Sequence, residues 1–387
     1  MDIINDKRRK DAEHLGRVTS FVAAVAPDKI PGKQVRECDR KEMEGQKKDI
    51  EEKWPSLFDF MGGLSEPEKK HKYSYTTDLY DATPKFRPRI NKRIQNKYLD
   101  PIKQNFSHCG NLYTMELSPS QIDGTFYFPG QREQFVEMEL AQLAFEKGMP
   151  IFGVNWGVKF SIYELRERLK KNKHTFSYRE LKEALCILAR TNMSISSADG
   201  NAVMEENLLK ALCLRTWDDW KELGRGSECY VEFNSLHVAA LKNSKWKLLD
   251  HKKATNIEPF LARWIYLRMS REWSGAQNFK SITWLLSNIV MDSGININRL
   301  RDAKREIESA LDYLKSHNME IQKWVAEPIL GGQRSTKLVN VKYYITPGIT
   351  FVSEMKRRNQ LKRDASEKIE EFNSLAEKNH VKKLPFS

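Results

Sequence analysis

With 387 residues, 40% of them hydrophobic, the chain has room for two or three ordinary domains with real cores. Its 65 Lys and Arg against 52 Asp and Glu leave a formal charge of +13, which favours a polyanionic partner without separating DNA from RNA or an acidic membrane. Five cysteines without a CxxC pair and eight histidines without HExxH spacing argue against a disulfide framework or zinc site, so no metal or cofactor is expected.

There is no apolar run of transmembrane length, and the start of the chain is densely charged from Asp6 to Glu13 rather than leader-like. A cytoplasmic protein with no membrane partner is therefore expected. Residues 1–110 read as a flexible charged N-terminal arm, apart from a short amphipathic stripe at Leu15, Val18, Phe21, Val22 and Val25. Within the arm, residues 54–60 form an apolar island in which Leu57 and Phe58 are either the anchor of a docking peptide or a strap packed back on the body.

Residues 111–253 read as a first winged-helix domain. Short apolar runs from Leu112 to Phe128, broken at Pro119 and Asp123-Gly124, predict strands, and Gln134 to Lys147 predicts a helix. Phe152 to Val158 is strand-like. Two helices follow, each opened by a Ser three residues before a Glu (Ser161 with Glu164, Ser177 with Glu180), the spacing of a capping box. Strands are expected at Thr191–Ser196, Leu208–Trp217 and Glu228–Phe233. The outward positions of the second helix, Arg179, Glu183, Cys186 and Arg190, mix charges. Arg179 and Lys182 are candidate DNA contacts there, and the face is also expected to support self-association to a dimer.

Residues 254–346 read as a second winged-helix domain and the main DNA reader. A helix over Pro259–Arg271 opens it, a short helix is expected over Ser281–Val290, and Asp292-Ser-Gly294 makes a turn. From Asn298 a longer helix buries Leu300, Ala303, Ile307, Ala310, Leu311 and Leu314 on one stripe. Arg301 and Arg305 lie opposite, flanked by Arg299 and Lys304, while Glu308 and Asp312 come only later. Positive charge on the early turns suits a recognition helix, whose first turns enter the major groove. Two strands, Met319–Val325 and Leu338–Ile345, flank a glycine-rich basic loop whose Arg334 and Lys337 would reach phosphate or minor groove. Helix, turn, helix and hairpin thus occur twice. The predicted class is α+β: tandem winged-helix domains between the arm and a charged, solvent-exposed helical tail over 347–387. The alternative for the second unit is an ordinary helical hairpin with a solvated charged face. In the tail, the basic block Met355–Arg363 either adds phosphate contacts or is simply solvated.

The stretch Phe160–Leu169, the helix carrying Tyr178, Ala184, Leu185 and Leu188 with Thr191-Asn-Met193 after it, and the Phe260–Arg271 helix with its Arg263-Trp-Ile-Tyr266 core resemble the initiator (Rep) proteins of iteron-controlled plasmids, most closely the TrfA-type initiators. The resemblance covers roughly residues 130–345. It implies two winged helices on direct repeats of double-stranded origin DNA, monomers that initiate and dimers that repress in plasmid copy control, and recruitment of the host replicative helicase and initiator. TrfA-like proteins also carry a Gln-Leu-Ser-Leu-Phe peptide that docks on the sliding clamp. Ser56-Leu57-Phe58 matches its end, with Trp54 and Pro55 in place of the Gln and first Leu.

The expected function is therefore a non-enzymatic DNA-binding replication initiator. A winged-helix transcription repressor is the alternative, and an enzyme with an unrecognised site a third. Gly331-Gly-Gln-Arg-Ser-Thr-Lys337 lacks Walker spacing, no paired histidines accompany a tyrosine, and His14-Leu-Gly-Arg17 stands without a catalytic domain around it.

Overall fold

A five-residue strand buried along its whole length, β1 (Tyr73–Thr77), opens the part of the chain that the computed structural model describes: residues 72–88, 94–95, 99–147, 156–200, 203–214, 228–297, 299–317, 320–331 and 337–378. After it come α1 (Leu79–Ala82), β2 (Ile94–Gln95), the hairpin β3 (Ile102–His108) and β4 (Asn111–Leu117), the smaller hairpin β5 (Ser120–Ile122) and β6 (Thr125–Tyr127), and α2 (Gln131–Lys147). Next are β7 (Gly157–Phe160), α3 (Ile162–Lys171), α4 (Tyr178–Arg190), β8 (Asn192–Ser197), β9 (Val203–Asn207), β10 (Leu209–Cys213) and β11 (Cys229–Phe233). Then α5 (Ser235–Lys242), β12 (Trp246–Asp250) and α6 (His251–Asn256) lead to α7 (Phe260–Glu272), β13 (Ile282–Leu285), α8 (Leu286–Ser293), α9 (Leu300–Ser316), β14 (Ile321–Gly331), β15 (Lys337–Pro347) and α10 (Ile349–Lys378). The class is mixed α and β.

One supersecondary unit occurs twice. In the first copy α2, β7, α3, α4, β10 and β11 follow one another, and in the second α7, β13, α8, α9, β14 and β15. The sheets are β10-β11-β7 and β13-β15-β14, so in both copies the last strand lies in the middle and the strand before the helix pair closes one edge. The first copy differs by an insertion: β8 and β9 leave it to form a four-stranded sheet, β3-β4-β8-β9, with the earlier hairpin.

Two apolar clusters form the interior, and β12 is the partition between them. Leu248 belongs to the cluster built from residues between 73 and 248 together with Leu361 and Ala365, and its neighbour Leu249 to the cluster built from residues between 249 and 355. Successive side chains of a strand leave on opposite faces, so one strand serves both cores. β1 pairs with β12 antiparallel, from Tyr73↔Asp250 to Thr77↔Trp246. The described residues all belong to one compact unit, Trp54–Ser387.

Helix α2 stands at the centre of the first cluster, with Phe135, Val136, Leu140, Leu143, Ala144 and Phe145 buried. Three of its carboxylates are buried with them, which is tolerable only because each is paired. Glu133 bonds Arg132 at 2.7 Å, Glu137 meets Lys85 at 3.0 Å, and Glu139 lies 2.7 Å from Arg168 and 3.0 Å from His251.

The structure departs from the sequence reading in four places. The helix expected over Ser281–Val290 begins as β13, pairing from Ile282↔Ile345 to Leu285↔Lys342, and only then becomes α8. Ile282, Thr283 and Trp284 are residue types that favour strands, and an open sheet edge decides the matter. Second, β1, β2 and β3 fall inside the expected arm: this stretch has too few apolar residues for a core of its own, yet Tyr73, Tyr75, Tyr80 and Phe106 complete the first core, most of whose residues come from farther along the chain. Third, the strand read at Phe152–Val158 is realised as β7, with residues 152–155 outside the described part. Fourth, the tail is helical but one face of its first half is buried rather than solvent-exposed. Phe351, Val352 and Met355 are buried in the second cluster, and Leu361 and Ala365 in the first.

Candidate nucleic-acid interface

The second copy presents a helix and a projecting hairpin side by side. Helix α9 buries Ala303, Ile307, Ala310, Leu311 and Leu314, the stripe expected from its spacing. It is set by the turn before it, where Gly294 adopts φ +74° and accepts a 2.9 Å bond from Arg87 through its carbonyl. A Cβ at Gly294 would lie 3.1 Å from the Arg87 guanidinium in a left-handed backbone that L residues rarely adopt, so glycine is required there.

Arg299, Arg301 and Arg305 are exposed on the face opposite the stripe, while Lys304 is half-buried. Arg305 Nη2 lies 3.2 Å from Asp302 Oδ1, and Lys304 lies 3.4 Å from Glu308. Both are short-range pairs at the surface, of the kind that exchange readily for another anion. The start of α9 carries no side-chain cap: Arg299 occupies the N-cap position and bonds the first turn only through its carbonyl, which accepts from Ala303 N at 3.0 Å. Cations at the positive end of a helix dipole, with the first N–H groups unsatisfied by a side chain, are an arrangement that an incoming phosphate stabilises. Trp324 Nε1 donates to Asp312 Oδ1 at 2.9 Å and ties the hairpin to the later, acidic part of the same helix.

The hairpin is longer than the sequence suggested, because β14 and β15 stay paired from Ile321↔Pro347 to Gly331↔Lys337. On β15 the fully buried positions, Val341, Tyr343, Ile345 and Pro347, all lie toward its base, and in the outer half Leu338 is only partly buried against the core while Lys337 and Val339 are exposed. Lys337 is exposed at its far end, while Arg334 lies outside the described residues. Sequence reasoning passed over Lys323, exposed on β14, and the exposed Leu330 and Val339 near the tip. Charge gives no clue to these two apolar positions; the length of the pairing does.

In the first copy, Ser177 and Glu180 form the capping box expected of them, with Ser177 Oγ accepting from Glu180 N at 3.2 Å and Glu180 Oε2 accepting from Ser177 N at 2.8 Å. Arg179 is exposed and Lys182 half-exposed on the first turns of α4. The rest of the face read as outward is partly covered by the β5–β6 hairpin and the start of α2. Glu183 accepts from Arg132 Nη1 at 2.8 Å and Tyr127 at 3.1 Å, Arg190 donates to the Gln121 carbonyl at 3.0 Å, and Cys186 is half-buried. That correction follows from the hairpin's return onto α4, which helical spacing cannot reveal. The proposed docking residues Leu57 and Phe58 lie outside the described residues.

No family model matches the chain, and no curated protein matches it. Among solved structures it is similar to domains 2 and 3 of RctB, as selenomethionine derivatives, at 10% identity and TM-score 0.42 over 70% of this chain and 96% of that one. A second structure of RctB domains 2–3 gives 10% identity and TM-score 0.40 over 72% and 99%. The Pi initiator protein in complex with iteron DNA gives 14% identity and TM-score 0.39 over 56% and 91%. At these identities and TM-scores the likenesses carry no argument about what this chain binds. Among the described residues, no helix is long and apolar enough to cross a membrane.

Proposed function

We propose that the chain is a replication initiator that binds repeated sites in double-stranded origin DNA through tandem winged helices, the second being the main reader. What supports this is the twice-used strand, helix pair and hairpin with strand order conserved between the copies, joined to an exposed, basic and uncapped start of α9 beside a projecting hairpin that carries Lys337. Arg299, Arg301, Lys304 and Arg305 are assigned to the major groove, Arg334 and Lys337 to the wing, and Arg179 and Lys182 to a weaker contact by the first copy. The activity is binding rather than catalysis, with duplex opening driven by binding energy and DNA distortion. On the same reading, host helicase and initiator are recruited, the chain self-associates to a dimer, and Leu57 and Phe58 engage the sliding clamp.

Competition binding at fixed salt tests the reader. Arg301→Ala and Arg305→Ala should each cost about 1–3 kcal/mol and relax sequence preference if they reach guanine edges. Lys337→Ala should weaken all sequences alike and lower the salt slope by about one. Normal origin binding by both arginine variants would remove the assignment. Footprinting separates initiator from repressor: the first should cover several direct repeats and distort an adjacent A·T-rich segment, the second a single palindrome with its flank left paired.

A further inference from the structure

The turn between β3 and β4 brings His108 and Cys109 against Asp78, the residue that starts α1. His108 Nε2 lies 2.7 Å from Asp78 Oδ1, Cys109 Sγ lies 3.3 Å from the same nitrogen, and all three ligand atoms fall within 4.8 Å of one another. His108 is 5% exposed, and its Nδ1 has no hydrogen-bond partner, so the ring's polar engagement is with this cluster alone.

One nitrogen facing both an oxygen and a sulfur is a poor hydrogen-bond arrangement. If Nε2 carries the proton, it can point at only one of them. If it does not, its lone pair faces the carboxylate oxygen at 2.7 Å. A cation at the centre resolves this, because a neutral imidazole, a carboxylate and a thiolate are each ligands by lone pair. We propose that Asp78, His108 and Cys109 form a zinc-binding site with three protein ligands and an open fourth position.

The donor set fits. Zinc takes His nitrogen at about 2.0–2.1 Å, carboxylate oxygen at about 2.0–2.2 Å and thiolate at about 2.3 Å in tetrahedral geometry, which puts ligand atoms roughly 3.3–3.7 Å apart. The present spacings need about half an ångström of opening between Asp78 and His108. The cluster borders a cleft of about 340 Å³, so the fourth position is open to water.

The cations across that cleft each have hydrogen-bond partners of their own, although Lys247 and Arg271 also act electrostatically on Cys109. Lys247 donates to the Arg271 carbonyl, Arg271 Nη1 donates to the Asp81 carbonyl at 2.9 Å, and Arg268 bonds Glu272 at 2.9 Å and Asp292 at 2.8 Å. Cys109 itself sits at φ +50°, followed by Gly110 at +81°, in a two-residue hairpin turn where Asn, Asp or Gly is usual. A thiol kept in a strained position is better explained by a ligand than by the turn. No zinc spacing is visible along the chain because Asp78 lies thirty residues upstream of His108, and His108 and Cys109 are adjacent rather than separated by a helical turn. An ion here would also stiffen the end of β3, where Ser107 N donates to Asp292 of the second core at 2.7 Å.

Cobalt substitution and melting of the full-length chain decide the matter. Chelator-treated wild-type protein titrated with Co²⁺ should develop a thiolate-to-cobalt charge-transfer band that saturates at one ion per chain, and Cys109→Ser, at an exposed position that should not disturb folding, should abolish it. Zn²⁺ should raise the wild-type melting temperature and leave that of Cys109→Ser and Asp78→Asn unchanged, since an ion that binds only the folded state stabilises it by mass action. Absence of the band in wild type, its survival in Cys109→Ser, or an equal zinc shift in wild type and variants would each overturn the site.

Discussion

At the scale of single residues, His237 carries a testable dependence on pH. The Tyr75 hydroxyl lies 2.8 Å from its Nε2, and the ring is packed among Tyr75, Tyr80 and Phe233. Tyr75 is held well above the ordinary tyrosine range by burial, so its hydroxyl donates and Nε2 must accept unprotonated. Burial pushes His237 down from 6.5 to about 4; Asp81 opposes this and Lys85 adds to it. The unfolded chain therefore binds the proton first. This contribution to stability is fully present above about pH 6.5 and is lost as pH falls from there through about 4, on the order of 3 kcal/mol in all. Urea midpoints of wild type and His237→Gln at about pH 7.5 and about pH 5 check it, with the variant expected to lose less stability across that interval. Parallel loss in both proteins would show that other groups set the acid limit. Arg301 and Arg305 were legible in the sequence because a strong apolar stripe defines the exposed face of a helix from local spacing alone. His237 was not, since its partner is 162 residues away, and neither was the Asp78–His108 contact.

At the scale of elements, the last turn of α8 binds the two halves together. Asp292, 3% exposed, accepts from Ser107 N at 2.7 Å through Oδ1 and from Arg268 Nη1 at 2.8 Å through Oδ2. Arg87 reaches the Gly294 carbonyl and the Gln104 side chain, so β3 and the segment before it are clasped to this turn at several points. Asp292→Asn keeps the shape but removes the charge and turns an amide N–H₂ toward a donor. It should cost about 2–4 kcal/mol, with an unpaired donor and a less well neutralised Arg268 left in the interior. Urea unfolding measures the cost, and amide exchange at Ser107 should quicken more than exchange in β14. An unchanged midpoint would mean that the clasp contributes nothing. The sequence revealed the turn through Gly294 but not the role of Asp292, because glycine reports local backbone while a buried carboxylate reports its partners. The same distinction explains β13. Its spacing suits a helix, while its strand-favouring residues and the free edge of β15 make it a strand.

At the scale of the whole molecule, α10 joins the two cores. Its early residues Phe351, Val352 and Met355 pack in the second cluster, and Leu361 and Ala365, two to three turns later, pack in the first. Between them Arg358, 2% exposed, donates to the Leu248 carbonyl on β12 at 3.2 Å, and Lys362 stacks over Trp246 at 4.9 Å from the ring centroid. The sequence showed a helix rich in Lys, Arg and Glu and hid this role, because buried Leu361 and Ala365 are two apolar positions in a charged run, and Arg358 buries its stem as well as its head. A helix that spans two cores couples their unfolding, since either core can lose its packing only by exposing part of the other. Wild-type chain should therefore unfold in one transition by tryptophan fluorescence and by circular dichroism. Leu361→Asp places an unpaired carboxylate in the first core, a cost of several kcal/mol that the second core does not share. The variant should unfold in two separated steps, the first core melting at lower urea and the second at a higher midpoint that still lies below the wild-type one, because it has lost part of its cover. Phe351→Asp should reverse the order. A single transition in Leu361→Asp, merely shifted to lower urea, would show that the β1–β12 ribbon and the Asp292 clasp couple the cores without help from α10.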